Sequence, residues 1–268
     1  MDIDTYFTDH WVEIEEDRID RYERMFQWRE SQRQKLAPAL IEPGHRILDF
    51  GCGPGFLALA LADMVGEEGR VYGADINARF VSDATQRATG KGNISFHHLS
   101  DHILPFDTES MDRVLAKNVL EYVPDIHATL AEMHRVLVPG GRIHVLDSDW
   151  GFVVVEPWGK AVVDRFFKAA SVAFKEPHIG RKLVPLIRGA GLEVESATIE
   201  ASLDTTGGGL SVLRNMRKYI GVFDTLKPEE ADELIETAEQ AVVDGSYLFA
   251  LPQFVVTAKK TDMNTISR

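Results

Sequence analysis

Hydrophobic and polar positions give the first part of the chain a helical repeat. Over the first forty residues, apolar side chains recur every three or four positions among Glu, Asp and Arg, which predicts helix. The positions that carry this pattern are Ile14, Ile19, Tyr22, Met25, Phe26 and Arg29. Pro43 and Gly44 end the segment, so we expect an N-terminal helical cover over residues 1–42.

From Arg46 the pattern changes to short apolar runs, typical of buried strands, that alternate with amphipathic helices. The predicted strands are residues 46–50, 70–75, 93–97, 112–117 and 141–147. The predicted helices between them are residues 56–64, 78–88 and 126–137. Because parallel strands need a covering crossover with a right-handed return, this alternation predicts a parallel sheet with helices on both faces.

After Trp150 the pattern is less regular, although helices and strands are still recognisable. The predicted helices are residues 159–174, 180–189, 210–223 and 229–243, and the predicted strands are 193–200 and 253–258. The run Gly207-Gly208-Gly209 marks a flexible joint. We interpret residues 43–268 as one α/β domain with a helical insert around 205–245.

Composition and charge exclude several classes of protein. The 268 residues carry 29 basic and 42 acidic side chains, a net charge of −13, so binding to nucleic acid is not expected. The chain has no apolar run of about 18 residues, and its acidic, polar N-terminus does not resemble a secretory signal. Cys52 is the single cysteine, which excludes an internal disulfide and a thiolate zinc site. We therefore expect a cytoplasmic protein without a membrane span.

The most informative segment is a glycine-rich loop between a strand and a helix. The predicted strand 46–50 leads into Gly51-Cys52-Gly53-Pro54-Gly55, and a helix follows. Glycine permits positive φ and close approach of a ligand, and the start of a helix offers free N–H groups, so a nucleotide-like ligand is indicated. The spacing is G-x-G-x-G, with Phe56 where the third glycine of a dinucleotide fingerprint would stand.

Two carboxylates flank this loop and help to distinguish between cofactors. Asp75 ends the next strand, where an acid reaches ribose hydroxyls in either cofactor class. Asp49 would repel a pyrophosphate, but it suits a cofactor that carries an ammonium and a sulfonium. The charge pattern therefore favours S-adenosylmethionine over NAD, and a nicotinamide-dependent oxidoreductase is the alternative.

A set of motifs in fixed order extends this interpretation. Its members are residues 48–55, Asp75, residues 104–106 with Met111 and Asp112, residues 118–125 and residues 136–142. Together they cover roughly residues 40–150 and resemble the class I S-adenosylmethionine-dependent methyltransferases, in the subgroup related to ubiquinone/menaquinone biosynthesis methyltransferases. The resemblance implies a Rossmann-like, seven-stranded, mostly parallel sheet whose last strand is antiparallel.

The resemblance also implies which residues hold the cofactor. Asp49 and the backbone of Gly51, Cys52, Gly53 and Gly55 are implied to lie by the methionine part of the cofactor. Asp75 is implied to hold the ribose, and Ile76 to pack on the adenine. Lys117 and Asn118 align with the end of the fourth strand, which in the family also meets the methionine part. Where the family usually has an acid within a Gly-Asp-Ala triplet, this chain has Leu99-Ser100-Asp101. The contact to the adenine amino group is therefore expected from Ser100 or Asp101.

Candidates for acceptor contact follow from the chemistry. The methyl group of a sulfonium is already activated, so the enzyme mainly aligns the reactants in line and excludes water. Ligands of open α/β sheets bind beyond the carboxyl ends of the strands, which favours Asp147 and Asp149 as acceptor contacts, with His98 as a further catalytic candidate. The competing interpretation is that the two aspartates only cap the next element.

The remaining expectations concern the acceptor and the surroundings of the site. The aromatic and apolar side chains Tyr22, Met25, Phe26 and Trp28 either close the active site or form ordinary core, and both roles are compatible. No two-His-one-acid cluster and no H-E-x-x-H motif is present, so no metal is expected. We expect a small-molecule acceptor, either a secondary metabolite or quinone-like, in a pocket shaped by the insert around 205–245. A homodimer, or a methyltransferase fold that binds the cofactor without methyl transfer, is compatible with the sequence.

Overall fold

The computed structural model describes residues 2–14, 16–101 and 103–261. Within these residues, the main sheet has seven strands in the order β3-β2-β1-β4-β5-β9-β7. They are β1 (Arg46–Phe50), β2 (Arg70–Asp75), β3 (Ile94–His98), β4 (Met111–Lys117), β5 (Leu137–Ser148), β7 (Leu192–Glu200) and β9 (Gln253–Lys260). Only β9 runs antiparallel to its neighbours β5 and β7. The predicted Rossmann-like, mostly parallel sheet with an antiparallel last strand is confirmed.

Helices cover both faces of this sheet because its strands are apolar on both sides. They are α4 (Phe56–Val65), α5 (Ala78–Arg87), α6 (Ile126–Val136) and α8 (Ile179–Gly189). Successive strand residues point to opposite faces. Ile47 therefore packs with the core under α4, whereas Leu48 packs with the core under α6 and α8. Both side chains are fully buried, as expected for a central parallel strand.

The N-terminal segment folds into the helices α1 (Tyr6–Val12), α2 (Glu16–Phe26) and α3 (Arg33–Leu36). Polar contacts attach it to α5. The side-chain amide of Asn77 donates to the carbonyl of Trp11 at 2.8 Å, Arg79 donates to Glu16 at 2.8 Å, and Arg87 pairs with Glu23. We call residues 6–26 the helical cover; they lie beside the carboxyl end of β2.

A second group of elements follows the main strands and has its own core. It contains α7 (Lys160–Ala170), α9 (Leu210–Phe223), α10 (Pro228–Asp244) and a small antiparallel sheet of β6 (Val154–Glu156) and β8 (Leu248–Ala250). Phe166 and Tyr219 are buried in this core. The predicted helix 159–174 is shorter in the structure, because a 3₁₀ turn at Ser171–Ala173 follows α7. No helix of the described residues is long and apolar enough to span a bilayer.

Candidate functional site

A cavity of about 740 Å³ lies at the carboxyl ends of β1, β2 and β4. Ten of the predicted cofactor residues line it: Asp49, Gly51, Cys52, Gly53, Asp75, Ile76, Ser100, Asp101, Lys117 and Asn118. Gly55 lies outside the lining, at the start of α4, where an added Cβ would come within 2.7 Å of the Ala84 side chain. The cavity therefore brings together the residues that the sequence assigned to a cofactor, except for Gly55.

Two glycines of the loop have different physical roles. At Gly51, φ is +69° and an added Cβ would lie 2.4 Å from a Val119 methyl group, so the loop and the turn after β4 need glycine to pack together. At Gly53, φ is +52° and an added Cβ would meet only Phe26, at 3.9 Å. Since Gly53 lines the cavity, the absent side chain leaves room there for a ligand.

Asp75 is held in place by the loop and by the start of α5. Its two carboxylate oxygens accept the backbone N–H groups of Gly53 at 2.7 Å and of Asn77 at 2.8 Å. Burial raises the pKa of Asp75, and these two N–H groups oppose that shift. Each carboxylate oxygen retains a further acceptor site, which is what a pair of ribose hydroxyls requires.

Asp49 is the second carboxylate of the cavity and is 2% exposed. Burial raises its pKa to about 7, and the positive charge of Lys117 partly offsets this rise. Its Oδ2 has no hydrogen-bond partner among the described residues. A buried carboxylate oxygen without a partner is costly unless a ligand supplies a cation or a donor. The residues present therefore fit a cofactor with a cationic end.

Aromatic side chains form a further part of the cavity lining, which we call the aromatic wall. Trp11 and Phe26 of the helical cover form it together with Tyr122, which follows β4. The Trp11 ring centroid lies 5.0 Å from the rings of both Tyr122 and Tyr22. Tyr22 is fully buried behind the wall and its hydroxyl lies 3.0 Å from that of Tyr219. The cover thus contributes both cavity lining and core.

Of the four N-terminal positions that the sequence singled out, only Phe26 lines the cavity. Tyr22 is core, Met25 is 39% exposed, and Trp28 packs against the core under α4. Trp11 was missed because it lies in the seven-residue helix α1, which is too short to show a helical repeat. The sequence feature that could have pointed to Trp11 is an aromatic residue close to Thr8 and His10 in a segment that is otherwise rich in acidic residues.

The structure places Asp147 and Asp149 outside the cavity lining, and both are fully buried. Asp147 accepts the backbone N–H of Leu120 at 2.9 Å and that of Ser148 at 3.0 Å. Burial raises the pKa of Asp147 to about 7. Its position supports the turn after β4, so the predicted acceptor contact of Asp147 has no geometric basis in this structure.

Asp149 is occupied by a different set of partners. Both of its carboxylate oxygens bind the guanidinium of Arg181 on α8, and its Oδ1 lies 3.1 Å from Nδ1 of His178. The Arg181 guanidinium keeps the pKa of Asp149 below its ordinary value despite burial. Asp149 therefore joins β5 to α8 and lies outside this cavity, and its contact with the acceptor stays a prediction.

His98 lines the cavity, but on the side of Asp75 and Ile76. Its Nε2 lies 3.0 Å from the carbonyl oxygen of Ile76, the residue expected to pack on adenine. This position favours a contact near the nucleoside over a role at the acceptor.

The insert around residues 205–245 does not contribute to the cavity. Among the described residues, the lining of the cavity ends at Thr129, so the insert does not shape this cavity as expected.

Fold and site together define the class of the protein: a Rossmann-like α/β protein with a glycine loop and two buried carboxylates, Asp49 and Asp75, in one cavity at the carboxyl ends of adjacent strands. Residues 48–145 match the family model of the methyltransferase domain. A demethylmenaquinone methyltransferase of Geobacillus kaustophilus is 37% identical over 129 residues, which are 47% of this chain and 54% of that protein. The chain thus spans about half the length of this relative.

Two further comparisons extend beyond the sheet. An uncharacterised 37.1 kDa protein of a Streptomyces fradiae transposon is 28% identical over 225 residues, covering 82% of this chain and 64% of that protein. The fold is shared with phosphoethanolamine N-methyltransferase 2 of Haemonchus contortus, solved with S-adenosylhomocysteine, at a TM-score of 0.62 and 15% identity. That match covers 98% of this chain and 61% of the other.

Residues 48–145 of the chain thus resemble a methyltransferase domain, and about half of the chain is similar to methyltransferases of quinone biosynthesis. The resemblance found in the sequence is confirmed, and S-adenosylmethionine is the cofactor of this class. The family match leaves the nicotinamide-dependent alternative without support.

Proposed function

We propose that this protein transfers a methyl group from S-adenosylmethionine to a small, largely apolar acceptor of the quinone type. The observation that carries the proposal is that one cavity joins the glycine loop to the aromatic wall of Trp11, Phe26 and Tyr122. Its volume lies within the range of about 300–1,000 Å³ that is usual for small-molecule sites. Aromatic rings of a wall stack well on a planar acceptor.

The residues of the chain contribute position and exclusion of water. When bound, the cofactor supplies a methyl group that its sulfonium has already activated. Asp49, Gly53 and Asp75 would hold the cofactor, while the rings of Trp11 and Phe26, which line the same cavity, would exclude water. Holding the acceptor in line with the methyl group lowers the barrier mainly through proximity and orientation.

The relatives and the charge of the chain support the class of acceptor. The Geobacillus kaustophilus relative acts on demethylmenaquinone by its name. The net charge of −13 disfavours a polyanionic acceptor such as nucleic acid. A cytoplasmic location and a homodimer remain predictions.

The proposal is tested by incubating the purified chain with S-adenosylmethionine and a chemically reduced demethylmenaquinone. We expect S-adenosylhomocysteine and a product one CH₂ heavier, both detected by mass spectrometry. Trp11→Ala should reduce turnover, whereas Val243→Ala, at a side chain that is 80% exposed on α10, should not. Tight binding of the cofactor without S-adenosylhomocysteine release across a panel of quinols, phenols and amines would overturn methyl transfer and favour a non-methylating role.

A further inference from the structure

A buried carboxyl group lies next to the aromatic wall and is not yet explained by the site. It belongs to Glu121, in the 3₁₀ turn Leu120–Tyr122 after β4, and this side chain is 2% exposed. Its Oε2 accepts the indole N–H of Trp150 at 2.6 Å. Glu121 does not line the cavity, but the next residue, Tyr122, does. An acid is thus placed one residue away from the space in which the acceptor would bind.

Asp147 places a second carboxyl group under the same turn. It accepts the backbone N–H groups of Val119 at 3.3 Å and of Leu120 at 2.9 Å. Burial and the neighbouring charge of Asp147 raise the pKa of Glu121 well above its ordinary value. Two neighbouring carboxyl groups in an apolar environment do not ionise together readily, so Glu121 releases its proton only at higher pH. Once ionised, Glu121 is therefore a stronger base than an exposed glutamate.

The side chain of Tyr122 connects Glu121 to the cavity. Its hydroxyl is a hydrogen-bond partner of the Glu121 side chain, and the residue lines the cavity. The ring is held between those of Trp11, at a centroid distance of 5.0 Å, and Phe174, at 5.3 Å. Burial raises the pKa of Tyr122 well above its ordinary value, so the phenol stays protonated. It can therefore accept a proton only while it passes its own proton on.

Other titratable groups face Glu121 and Tyr122 from the elements packed against them. They are His10 on α1, Arg18 and Tyr22 on α2, Tyr219 on α9 and Asp147 on β5. The segment of Lys175 and Glu176 binds the Glu121 carbonyl through backbone N–H groups, at 2.9 and 3.1 Å. Among these groups, Asp147 carries the charge that acts most strongly on Glu121. The ionisation of Glu121 should therefore respond to a change at Asp147.

We propose, on the basis of the proposed function, that Tyr122 is a catalytic residue that takes the proton of an acceptor hydroxyl, while Glu121 takes the proton of Tyr122. Glu121 does not touch the acceptor and acts only through the phenol. Removing the hydroxyl proton of a quinol increases the electron density of its ring carbons, which makes them better nucleophiles for a methyl group. The aromatic wall thus has a chemical role besides stacking on the acceptor.

The atoms and electrons of this step balance. The O–H bond of the acceptor breaks and its proton bonds to the phenolic oxygen of Tyr122, as the phenolic proton bonds to the carboxylate of Glu121. The ring carbon forms its bond to the methyl carbon with the electron pair left on the acceptor, and the sulfur keeps the pair of the broken bond. The ring carbon then releases its hydrogen to water as a proton. Glu121 returns its proton through Tyr122 to the acceptor oxygen, which restores both residues.

The dependence of turnover on pH tests the relay. Initial rates are measured without oxygen, with chemically reduced demethylmenaquinone, between about pH 6 and 9. In the wild-type chain kcat should increase with pH, because only the ionised Glu121 accepts a proton. Glu121→Gln keeps the size and an oxygen for the Trp150 N–H; it should lower kcat about 100-fold at the upper pH and abolish the increase. Tyr122→Phe keeps the stacked ring and should show a similar loss.

Three further variants separate the relay from support of the turn. The variant that combines Glu121→Gln with Tyr122→Phe should be within about twofold of either single variant, because both residues act on one proton. Asp147→Asn removes the charge that raises the Glu121 pKa, so its increase in kcat should occur at lower pH. Tyr72→Phe, at a partly buried tyrosine outside the cavity lining, is the matched control and should keep the wild-type rate and profile.

The protonation of Glu121 can also be followed without turnover. A protonated carboxyl group has an infrared carbonyl band that a carboxylate lacks. Infrared difference spectra of the free protein should lose such a band over the same pH range in which kcat increases. This change should be missing from Glu121→Gln. Calorimetry should give the same affinity for S-adenosylhomocysteine in Glu121→Gln, Tyr122→Phe and wild type, within about twofold.

Several outcomes overturn the proposal. A wild-type pH profile in Glu121→Gln would exclude the relay, and a raised KM with unchanged kcat in Tyr122→Phe would mean that the hydroxyl only binds the acceptor. If Glu121→Gln does not fold, Tyr122→Phe and Asp147→Asn carry the test, and an unshifted profile in Asp147→Asn contradicts the relay. A wild-type chain that releases no S-adenosylhomocysteine with any acceptor would instead contradict the proposed function. The two failures are therefore distinguishable.

Discussion

At the scale of single residues, Asp49 and Asp75 occupy similar places at the ends of adjacent strands but differ in their partners. Asp75 receives two backbone N–H groups, whereas Asp49 keeps an oxygen without a partner and a pKa of about 7. Asp75 is therefore organised in advance for neutral hydroxyls, whereas the pKa of about 7 leaves Asp49 partly protonated near neutral pH, and a bound cation would favour its ionised form. This difference leads to two predictions.

Asp49→Asn should weaken binding of S-adenosylhomocysteine and remove its pH dependence near neutrality. In the wild-type chain a cationic ligand requires the ionised carboxylate, so affinity should increase as pH rises through about 7 and decrease below it. Calorimetry at several pH values between about 6 and 8.5 measures both effects. A variant with the same pH profile as wild type would show that Asp49 does not face the ammonium.

The same substitution should stabilise the free protein. The pKa of Asp49 in the folded state lies above its value of 3.8 in the unfolded chain. The stability that the protonated carboxyl gives the folded state is therefore fully present below pH 3.8 and is lost as pH rises through about 7. Asp49→Asn should therefore melt at a higher temperature than wild type above pH 7, and the gain should disappear towards pH 4. Thermal denaturation without cofactor measures this difference.

Asp75→Ala should reduce the affinity for S-adenosylhomocysteine by about 1–3 kcal/mol, because charge-assisted hydrogen bonds to ribose are lost. The Gly53 N–H would also lose its acceptor. Asp75→Glu retains the charge but displaces it, and serves as the matched comparison in the same calorimetric measurement. Unchanged affinity in the alanine variant would remove Asp75 from the ribose site.

The spacing of residues along the chain was sufficient to predict that Asp49, the glycine loop and Asp75 lie together. A strand, a carboxylate and glycines at fixed spacing place Asp49, Gly53 and the end of β2 together whatever the rest of the chain does. The contacts of Asp149 could not be predicted in this way. The crevice rule locates its loop, but Arg181, 32 positions later, determines where the carboxylate points.

At the scale of elements, the helical cover is attached to α5 through Asn77, which performs two tasks. Its Oδ1 accepts the N–H of Phe80 at 2.9 Å and caps α5, while its NH₂ group donates to the carbonyls of Trp11 and Val12. The capping residue of a helix in the sheet domain is thus also the anchor of the cover. The sequence predicted both helices, but this link depends on residues 66 positions apart.

Asn77→Ala should destabilise the fold by about 1 kcal/mol through loss of the cap and should also loosen the cover. Asn77→Ser retains a capping oxygen without the amide donors, so it should restore stability but leave the cover loose. Hydrogen exchange of residues 6–26, compared with thermal denaturation, separates the two effects. Wild-type exchange rates in the serine variant would show that the amide contributes nothing to the cover.

The regular elements were predicted within one or two residues where the pattern is long, as in α9 and β7. The strands β6 and β8 were missed because three residues are too few to show alternation. The predicted 159–174 helix extended too far because the turn at Ser171–Ala173 keeps the helical spacing of its apolar residues.

At the scale of the whole molecule, the two cores of the sheet lie next to the cavity, whereas the third core, among α7, α9 and α10, supports it from outside. The cavity belongs to the sheet and the helical cover. The core enclosed by α7, α9 and α10 reaches the cavity through Tyr122, which lines it and stacks on Phe174, and through the contact of Tyr219 with Tyr22. The described residues contain no group of three or more His, Cys, Asp or Glu side chains that could hold a metal ion. The methyl transfer proposed for this site depends on the charges of the carboxylates and on the position of the two reactants.

Dialysis against EDTA should therefore leave turnover unchanged within about twofold. The physical reason is that the cofactor brings an activated methyl group, so no Lewis acid is needed at the acceptor. Initial rates before and after dialysis, with added Mg²⁺ as the reverse comparison, provide the measurement. A loss of rate that Mg²⁺ restores would contradict this prediction.

The lining of the cavity, which runs from Thr8 to Thr129 among the described residues, has a practical consequence for engineering. Asp49, Gly53 and Asp75 come from the strand ends and the glycine loop, whereas Trp11 and Phe26 come from two helices that polar contacts join to the sheet domain. Exchanging roughly the first thirty residues with those of a homologue should change which compounds are methylated while leaving the donor site intact. On the proposed function, the N-terminal helices would then be the part of the chain to vary when a different acceptor is wanted.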